Sequence, residues 1–232
     1  GVVPLVIVTK DVSNAQIEEL RRVSGVSFSG PLPVEVINKL TIIRMPAMKE
    51  NIDELRKLSF VEDIKVDSIN LIVHEDVRRS FDSRPPLKKF EIPRDEILKK
   101  LEAIKSLAPK DDDQALLSEG QDSIIQSSDS LETYENQTKQ RGVGYTITWL
   151  LPAAAEQEKK DAQFLNDQVS QLENTIKTLE NVASSTDDIT IKTNLNEQVE
   201  LLKNQAEGIK KEAGNKNKNA GGILALIRNL FG

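Results

Sequence analysis

Few residues in this chain have the types and spacing that enzyme catalysis requires. His74 is the only histidine, and no serine lies in the Gly-x-Ser-x-Gly turn that presents a hydrolase nucleophile. Cysteine is absent, which excludes thiolate catalysis, disulfides and cysteine metal sites. The sequence therefore predicts a non-enzymatic protein without catalytic residues, in which His74 ends a strand.

Motifs that bind metals, nucleotides or cofactors are also missing from the sequence. Asp111, Asp112 and Asp113 are adjacent carboxylates, but they lack the alternating oxygen ligands and the glycine turn of a helix-loop-helix calcium site. The chain has neither a Gly-x-x-x-x-Gly-Lys phosphate loop nor a dinucleotide fingerprint. Asn136-Gln137-Thr138 is a glycosylation sequon with meaning only in a secretory setting. No metal and no cofactor are expected.

The charge of the chain disfavours nucleic acid as a partner. The 232 residues carry a formal charge of −6, whereas a general nucleic-acid binder needs a basic face. Most of the excess acid lies between residues 110 and 144, which hold 3 basic and 8 acidic side chains. No stretch approaches the roughly 20 apolar residues that span a bilayer, so no transmembrane helix is predicted.

The first 108 residues alternate strand-like and helix-like patterns. Strands are predicted at 2–9, around 40–45 and from 61 into the apolar run that reaches 73, and amphipathic helices at 13–23 and 47–60, with room for one more strand at 26–29 or 34–37. This order predicts an α+β domain: a small antiparallel sheet with two helices on one face, the ferredoxin-like arrangement.

The second half of this region resembles a known family. The stretch VINKLTIIRMPAMKENIDELRKLSFVEDIKVD is similar to the subtilisin-propeptide family of peptidase inhibitors, and the similarity covers about residues 2–75. The positions that match are Ile37, Leu40, Ile42, Leu55, Leu58, Val61, Ile64 and Asp67. They are core positions of a ferredoxin-like fold. In that family the sheet docks on the protease and the following segment enters its cleft, so the resemblance implies that SINLIVHED, after Asp67, is an inhibitory tail.

Residues 93–144 are predicted to hold one helix followed by a linker. Pro93 suits the start of a helix whose stripe includes Ile97, Leu101 and Ile104, and this helix is expected to pack on the first domain or on a neighbouring chain. Residues 109–144 are rich in Asp, Ser and Gln and poor in large apolar side chains. Such a composition buries too little surface to offset its ordering entropy, so an acidic linker is predicted.

The clearest pattern lies in the last third of the chain. After a predicted strand near 145–149, two helical seams repeat with a spacing of four and three residues, as in coiled coils, and they predict an antiparallel hairpin that turns near 184–188. The predicted interface residues are Leu165, Val169, Leu172, Ile176 and Leu179 on the first seam, and Leu195, Val199, Leu202 and Ile209 on the second.

An isolated pair of such helices is marginally stable. Each large seam residue contributes about 1.5–3 kcal/mol on burial, but ordering about fifty residues costs a similar total. Additional helices are therefore expected to cover the seams, and copies of the same chain are the preferred source. The alternative is a self-sufficient hairpin that serves as a spacer.

The chain ends in a short apolar segment. Gly214 is predicted to terminate the second helix, and residues 215–222 are predicted to be flexible. A docking helix should follow, with Ile223, Leu224, Leu226, Ile227, Leu230 and Phe231 as its apolar residues. A helix of about ten residues is marginal in water, so it needs an apolar surface. A neighbouring subunit, the first domain or an anionic membrane would each supply one.

These observations favour one function and leave two others open. The preferred hypothesis is a structural protein that forms homo-oligomers, such as a filament, a shell or an envelope-associated assembly, through its coiled coil and its terminal helix. A protease inhibitor or folding chaperone, implied by the resemblance, is the second hypothesis. A peripheral membrane adaptor held by residues 223–231, or a contact of that segment with another protein, is the third.

Overall fold

The structure, a computed structural model, describes residues 1–75, 93–141 and 151–231, so the predicted strand at 145–149 lies outside the described residues. The chain divides into two compact units. The first unit comprises residues 1–79 together with 185–194, and the second comprises residues 80–184 together with 195–232. The predicted first domain at 1–108 was therefore too long, because its last helix belongs to the second unit.

An antiparallel sheet forms the centre of the first unit. Its elements are β1 (Val2–Thr9), α1 (Asn14–Ser24), β2 (Val34–Ile37), β3 (Leu40–Met48), α2 (Ile52–Arg56), β4 (Val61–Val66) and α3 (Ser68–Glu75). The strands lie in the order β2-β3-β1-β4 with antiparallel neighbours. The predicted α+β class and the ferredoxin-like arrangement are confirmed, and the additional strand lies at 34–37 rather than at 26–29.

One face of the sheet packs against α1 and α2. The core between them consists of apolar side chains at alternate strand positions and on the inner faces of both helices: Leu5, Ile7, Leu20, Ile43, Met45, Ala47, Leu55 and Ile64. Ser13 caps α1, since its hydroxyl accepts the Gln16 N–H at 3.2 Å while Gln16 accepts the Ser13 N–H at 2.9 Å. These local signals explain why the helix predicted here forms where it does.

The opposite face of the sheet is covered by residues distant in sequence. Val6, Val8 and Ile42 form a small core on this face, and Ile189, which lies just after the predicted turn near 184–188, packs against it. Ile189 is intermediate in exposure and belongs to the same unit as the sheet. Both faces of the sheet are therefore packed within the first unit.

A buried polar cluster accompanies this packing. The Asn194 amide donates a hydrogen bond to the Asp67 carboxylate at 3.0 Å, and the Asn70 amide donates to its other oxygen at 2.6 Å. Asp67 also accepts the Asn70 backbone N–H at 3.2 Å, which caps the start of α3. A buried carboxylate needs such donors, because an unpaired charge in the interior is strongly unfavourable.

The inhibitory tail implied by the propeptide resemblance is not supported by this structure. Residues 68–75 form the helix α3 rather than an extended segment, and His74 lies exposed in that helix instead of ending a strand. The run Ser68–Glu75 has apolar residues at helical spacing, and Asp67 caps it. Ile189 also packs against part of the sheet face opposite α1 and α2.

The described part of the second unit consists of the helices α4 (Arg94–Leu107), α5 (Asp111–Gln140), α6 (Leu151–Ser185) and α7 (Ile189–Phe231). The last residue of α6, Ser185, and the first six residues of α7, 189–194, belong to the first unit. α6 and α7 pack as an antiparallel hairpin, which confirms that prediction. Asp188 caps α7 by accepting the Thr190 and Ile191 N–H groups at 2.9 and 3.2 Å.

The predicted linker at 109–144 was wrong, because residues 111–140 form the helix α5. Its buried residues include a series spaced by four and three: Asp113, Leu117, Gly120, Ile124, Ser127, Leu131 and Tyr134. Several of these seam residues are small or polar, and the Ser127 hydroxyl donates a hydrogen bond to Gln168 of α6 at 3.0 Å. The polar composition of residues 109–144 predicts a linker, whereas the spacing of the buried residues by four and three is that of a coiled-coil helix.

The prediction that the last helix ends at Gly214 was also wrong. α7 runs without interruption through residues 215–222 to Phe231. Glycine and asparagine lower helix propensity by at most about 1 kcal/mol each, a cost that tertiary packing overrides. Ala213, Lys216 and Ala220 are buried along this stretch, so packing on the other helices sustains it.

A tight hairpin joins β2 to β3. Ile37 pairs with Leu40, and the two residues between them, Asn38 and Lys39, have φ angles of 51° and 68°. Both values lie in the left-handed region that a type I′ turn requires. Asparagine tolerates this region, but a lysine there is strained relative to glycine.

Replacing Lys39 with glycine should therefore raise the free energy of unfolding by about 0.5–1 kcal/mol, since glycine adopts the left-handed conformation without a Cβ clash. Denaturant unfolding followed by circular dichroism measures the change. Lys39→Ala is the matched control, because it removes the same charge but retains the Cβ. Equal stabilisation by both substitutions would contradict the backbone explanation.

Candidate interaction surface

The predicted seam residues all lie in the interior of the protein. Leu165, Val169, Leu172, Ile176 and Leu179 of α6, and Leu195, Val199, Leu202 and Ile209 of α7, are buried within the single chain. The structure brings the two seams together as predicted. It does not leave them available to other copies, so these residues are not an oligomer interface.

Helices of the same chain supply the additional cover. The buried Arg94 of α4 donates to the Ser128 hydroxyl of α5 at 2.7 Å, and the Lys100 ammonium of α4 contacts the Glu197 carboxylate of α7 at 2.6 Å. Ser123 of α5 and Thr175 of α6 share a hydrogen bond of 2.8 Å. The expectation that other copies must provide the missing helices was therefore wrong for the seams.

The end of α7 is different, because its apolar residues are only partly covered. The seam continues with a spacing of three and four through Lys216, Ala220, Ile223 and Ile227. Lys216 and Ala220 are buried, and Ile223 and Ile227 are intermediate in exposure. Beside them Leu224 is 36% exposed and Leu226 is 47% exposed. The side chains of Leu230 and Phe231 lie outside the described residues.

The position of α6 explains this exposure. Lys216 of α7 contacts Glu158 and Asp161 of α6 at 3.5 and 3.8 Å, and α6 begins seven residues before Glu158, at Leu151. In an antiparallel pair the α7 residue opposite Leu151 is therefore about 223. The later residues of α7 extend past the first residue of α6, and we call this segment, residues 223–231, the α7 end.

A buried ionic cluster lies next to the α7 end. Lys216 contacts the carboxylates of both Glu158 and Asp161, and Asp161 also accepts hydrogen bonds from the guanidinium of Arg141 and from the Gln157 amide. A lysine at a seam position is unfavourable by itself, but it fixes the register of the helices that pair with it. The cluster therefore defines how far α7 projects.

A cavity opens between α5 and α6 beside this cluster. Its volume is about 470 Å³, and its lining includes Tyr134, Phe164, Lys160 and Asp129. The rings of Tyr134 and Phe164 stack with centroids 5.1 Å apart. Burial, and then the nearby Asp161 charge, raise the pKa of Tyr134, so its phenol stays protonated at neutral pH.

The described acidic residues near this cavity do not form a group that could hold a metal ion. Among the residues that the structure describes, no group of three or more His, Cys, Asp or Glu side chains is placed to hold a metal ion. Asp161 of the ionic cluster lines the cavity, but it is paired there with Lys216 and Arg141. The α7 end is a second accessible surface, and it is apolar.

The sequence predicts the apolar residues of the α7 end, but not that the residues just before them are helical and partly buried. The apolar residues were recognised from their types, whereas the role of Lys216 was missed because the stretch 214–222 was interpreted as flexible. The signal was present, since the spacing of the second seam continues from Ala213 through Lys216 and Ala220 to Ile223. A lysine and three glycines within the repeat concealed it.

Replacing Lys216 with methionine should lower the free energy of unfolding by about 3 kcal/mol, because Glu158 would stay buried without its cation. Denaturant unfolding measures the loss, with the exposed Lys218→Met as the matched control. The pair Lys216→Met with Glu158→Leu should recover most of the stability, because it removes both charges. Equal losses for the single and the double variant would show that the ion pair is not the cause.

Among the described residues, no helix is both long enough and apolar enough to cross a bilayer. Comparison of the chain with protein-family models, with curated proteins and with solved structures found no match.

Proposed function

We propose that this chain is a non-enzymatic structural protein that associates with copies of itself through the α7 end. The observation that carries the proposal is the contrast along one helix: the seam of α7 is buried from Leu195 to Ala220, whereas Leu224 and Leu226 are exposed. Exposed apolar side chains grouped on one helical segment favour a contact with another apolar surface.

The direction of the apolar surface favours a second copy over a membrane. At 100° per residue, the arc from Leu226 through Ile223 and Ile227 to Leu224 spans about 160° and is centred on the direction of the seam. It therefore faces the side on which α6 packs further back along α7. An α7 end from another copy can pack against this side and continue the same heptad pattern. A flat bilayer that approached from the same side would be obstructed by the first residues of α6.

The charges around the α7 end are compatible with this contact. Lys218 and Arg228 are exposed, and at 100° per residue both project away from the apolar arc. Two antiparallel α7 ends would keep these cations on their outer surfaces, where solvent and salt screen the repulsion. Pairing of two copies therefore does not require a buried like-charge contact.

The magnitude of the contact predicts weak, reversible association. Eight apolar side chains, four from each copy, contribute about 1–1.5 kcal/mol each if half of their surface is buried, or about 8–12 kcal/mol together. Association itself costs about 4–15 kcal/mol in lost translational and rotational freedom. The α7 end should thus produce a concentration-dependent equilibrium rather than an obligate dimer.

Two exposed leucines test the proposal directly. The double variant Leu224→Lys and Leu226→Lys should shift the full-length chain toward monomer by at least about tenfold in the association constant, since it places charge in the apolar contact. Sedimentation equilibrium over a range of concentrations measures the shift. Both residues are already exposed, so the fold should be retained, which circular dichroism verifies.

The matched control places the same two charges on the other side of the helix. Ala225 and Asn229 are exposed and lie opposite the apolar arc, so Ala225→Lys with Asn229→Lys should leave self-association unchanged. A wild-type chain that remains monomeric at every concentration would refute the proposal. Equal effects of the two double variants would show that net charge, rather than the apolar arc, controls association.

A further inference from the structure

The outer strand β2 presents backbone hydrogen-bonding groups at the edge of the sheet. In a two-residue hairpin the closing pair, here Ile37 and Leu40, is hydrogen bonded, and the pairs then alternate. The Pro33 carbonyl accepts the Arg44 N–H at 3.2 Å, so this pair is also hydrogen bonded, as the alternation requires. The backbone groups of Val34 and Val36 therefore face outward, and their side chains are 48% and 70% exposed.

The other outer strand, β4, also directs the backbone groups of alternate residues away from the sheet. Asp67 donates its N–H to Pro4 on β1 at 2.9 Å, so the alternation directs the backbone groups of Ile64 and Val66 outward. Local side chains satisfy two of these groups: Asp63 accepts the Ile64 N–H at 2.8 Å, and Ser68 donates to the Val66 carbonyl at 3.4 Å. Both contacts confirm that these groups do not bond to β1.

We propose that β2 of one copy of this chain pairs antiparallel with β4 of a second copy, which joins the two sheets edge to edge. In this register Val34 lies opposite Val66 of the other copy and Val36 opposite its Ile64, so that outward backbone groups meet in both pairs. Glu35 then lies opposite Lys65 of the other copy. This pairing extends the proposed self-assembly to a surface of the first unit.

Side-chain faces agree with this register. Glu35 pairs across the sheet with Ile42, and Lys65 pairs with Val6, so both charged residues project on the face that carries the Val6 and Ile42 core. Val34 and Val36, which pair with Ile43 and Thr41, project on the opposite face, the one packed against α1 and α2. The joined sheet would therefore keep the helices of both copies on one side.

Charge complementarity selects this pairing over the two self-pairings. Antiparallel pairing of β2 with another β2, using both outward residues, places Glu35 opposite Glu35, and the equivalent pairing of β4 places Lys65 opposite Lys65. Like charges directly opposite each other are destabilising, whereas opposite charges stabilise. In these registers the two edges are therefore complementary to each other and not to themselves.

The contact would join copies head to tail. β2 and β4 are antiparallel within one sheet, so a second copy in the same orientation presents its β4 correctly to β2. Such a heterologous contact leaves one free edge at each end, and repetition produces a ring or an open filament. The inference rests on the proposed function only for the class of partner, another copy of this chain, and it uses none of the residues of the α7 end.

The experiment uses charge reversal in the Leu224→Lys, Leu226→Lys background, which removes the α7 contact. Glu35→Lys places lysines on both edges of one variant, and Lys65→Glu places glutamates on both edges of the other. Each variant alone should associate about tenfold more weakly than its parent. An equimolar mixture should recover association, because every edge then meets an opposite charge. Sedimentation velocity measures the mass distribution.

Controls separate a specific contact from a general charge effect. Asp11→Lys introduces the same charge change as Glu35→Lys at an exposed site outside the two edge strands, so it should not weaken association or respond to mixing. In the associated state the amide hydrogens of Val34 and Val36 should exchange more slowly. A mixture no heavier than its components would overturn the edge pairing. Failure of the leucine substitutions alone would refute the α7 contact and leave this inference intact.

Discussion

Burial of the heptad seams of α5, α6 and α7 is the constraint on which the second unit depends. An amphipathic helix is stable in water only when its apolar stripe is covered, and two helices alone leave part of each stripe exposed. α4 and α5 supply the remaining cover within the same chain, and Lys100 and Arg94 anchor them through contacts with α7 and α5. Cover is incomplete where α7 extends past the start of α6, since Leu224 and Leu226 are exposed there.

Polar side chains in the seams determine which arrangement forms. Ser127, Gln168 and Thr175 pair across helices, and Lys216 pairs with two carboxylates. Such pairs add little net stability compared with apolar residues of the same size, but a shifted register would leave them buried without partners. The register they define also sets the length of the α7 end, and so connects core packing to the proposed self-association.

The first unit was largely predictable from the sequence because its signals are local. Strands alternate with period two, α1 carries a capping box, and the apolar positions of both helices recur at helical spacing. The predictions failed at α3, where the short apolar run 68–75 fits a strand or a helix equally well. Capping by Asp67, which in turn requires Asn194 as a donor, belongs to the tertiary structure.

The sequence by itself determined the ferredoxin-like class, the two seams of the hairpin and the apolar character of residues 223–231, since all three follow from residue type and period. Only the tertiary structure decided that 111–140 is a helix, that α7 continues beyond Gly214 and that the seams are covered from within the chain. The physical reason is that these outcomes depend on the partner of each side chain. A serine, a glycine or a lysine in a seam is tolerated only where a particular neighbour accommodates it.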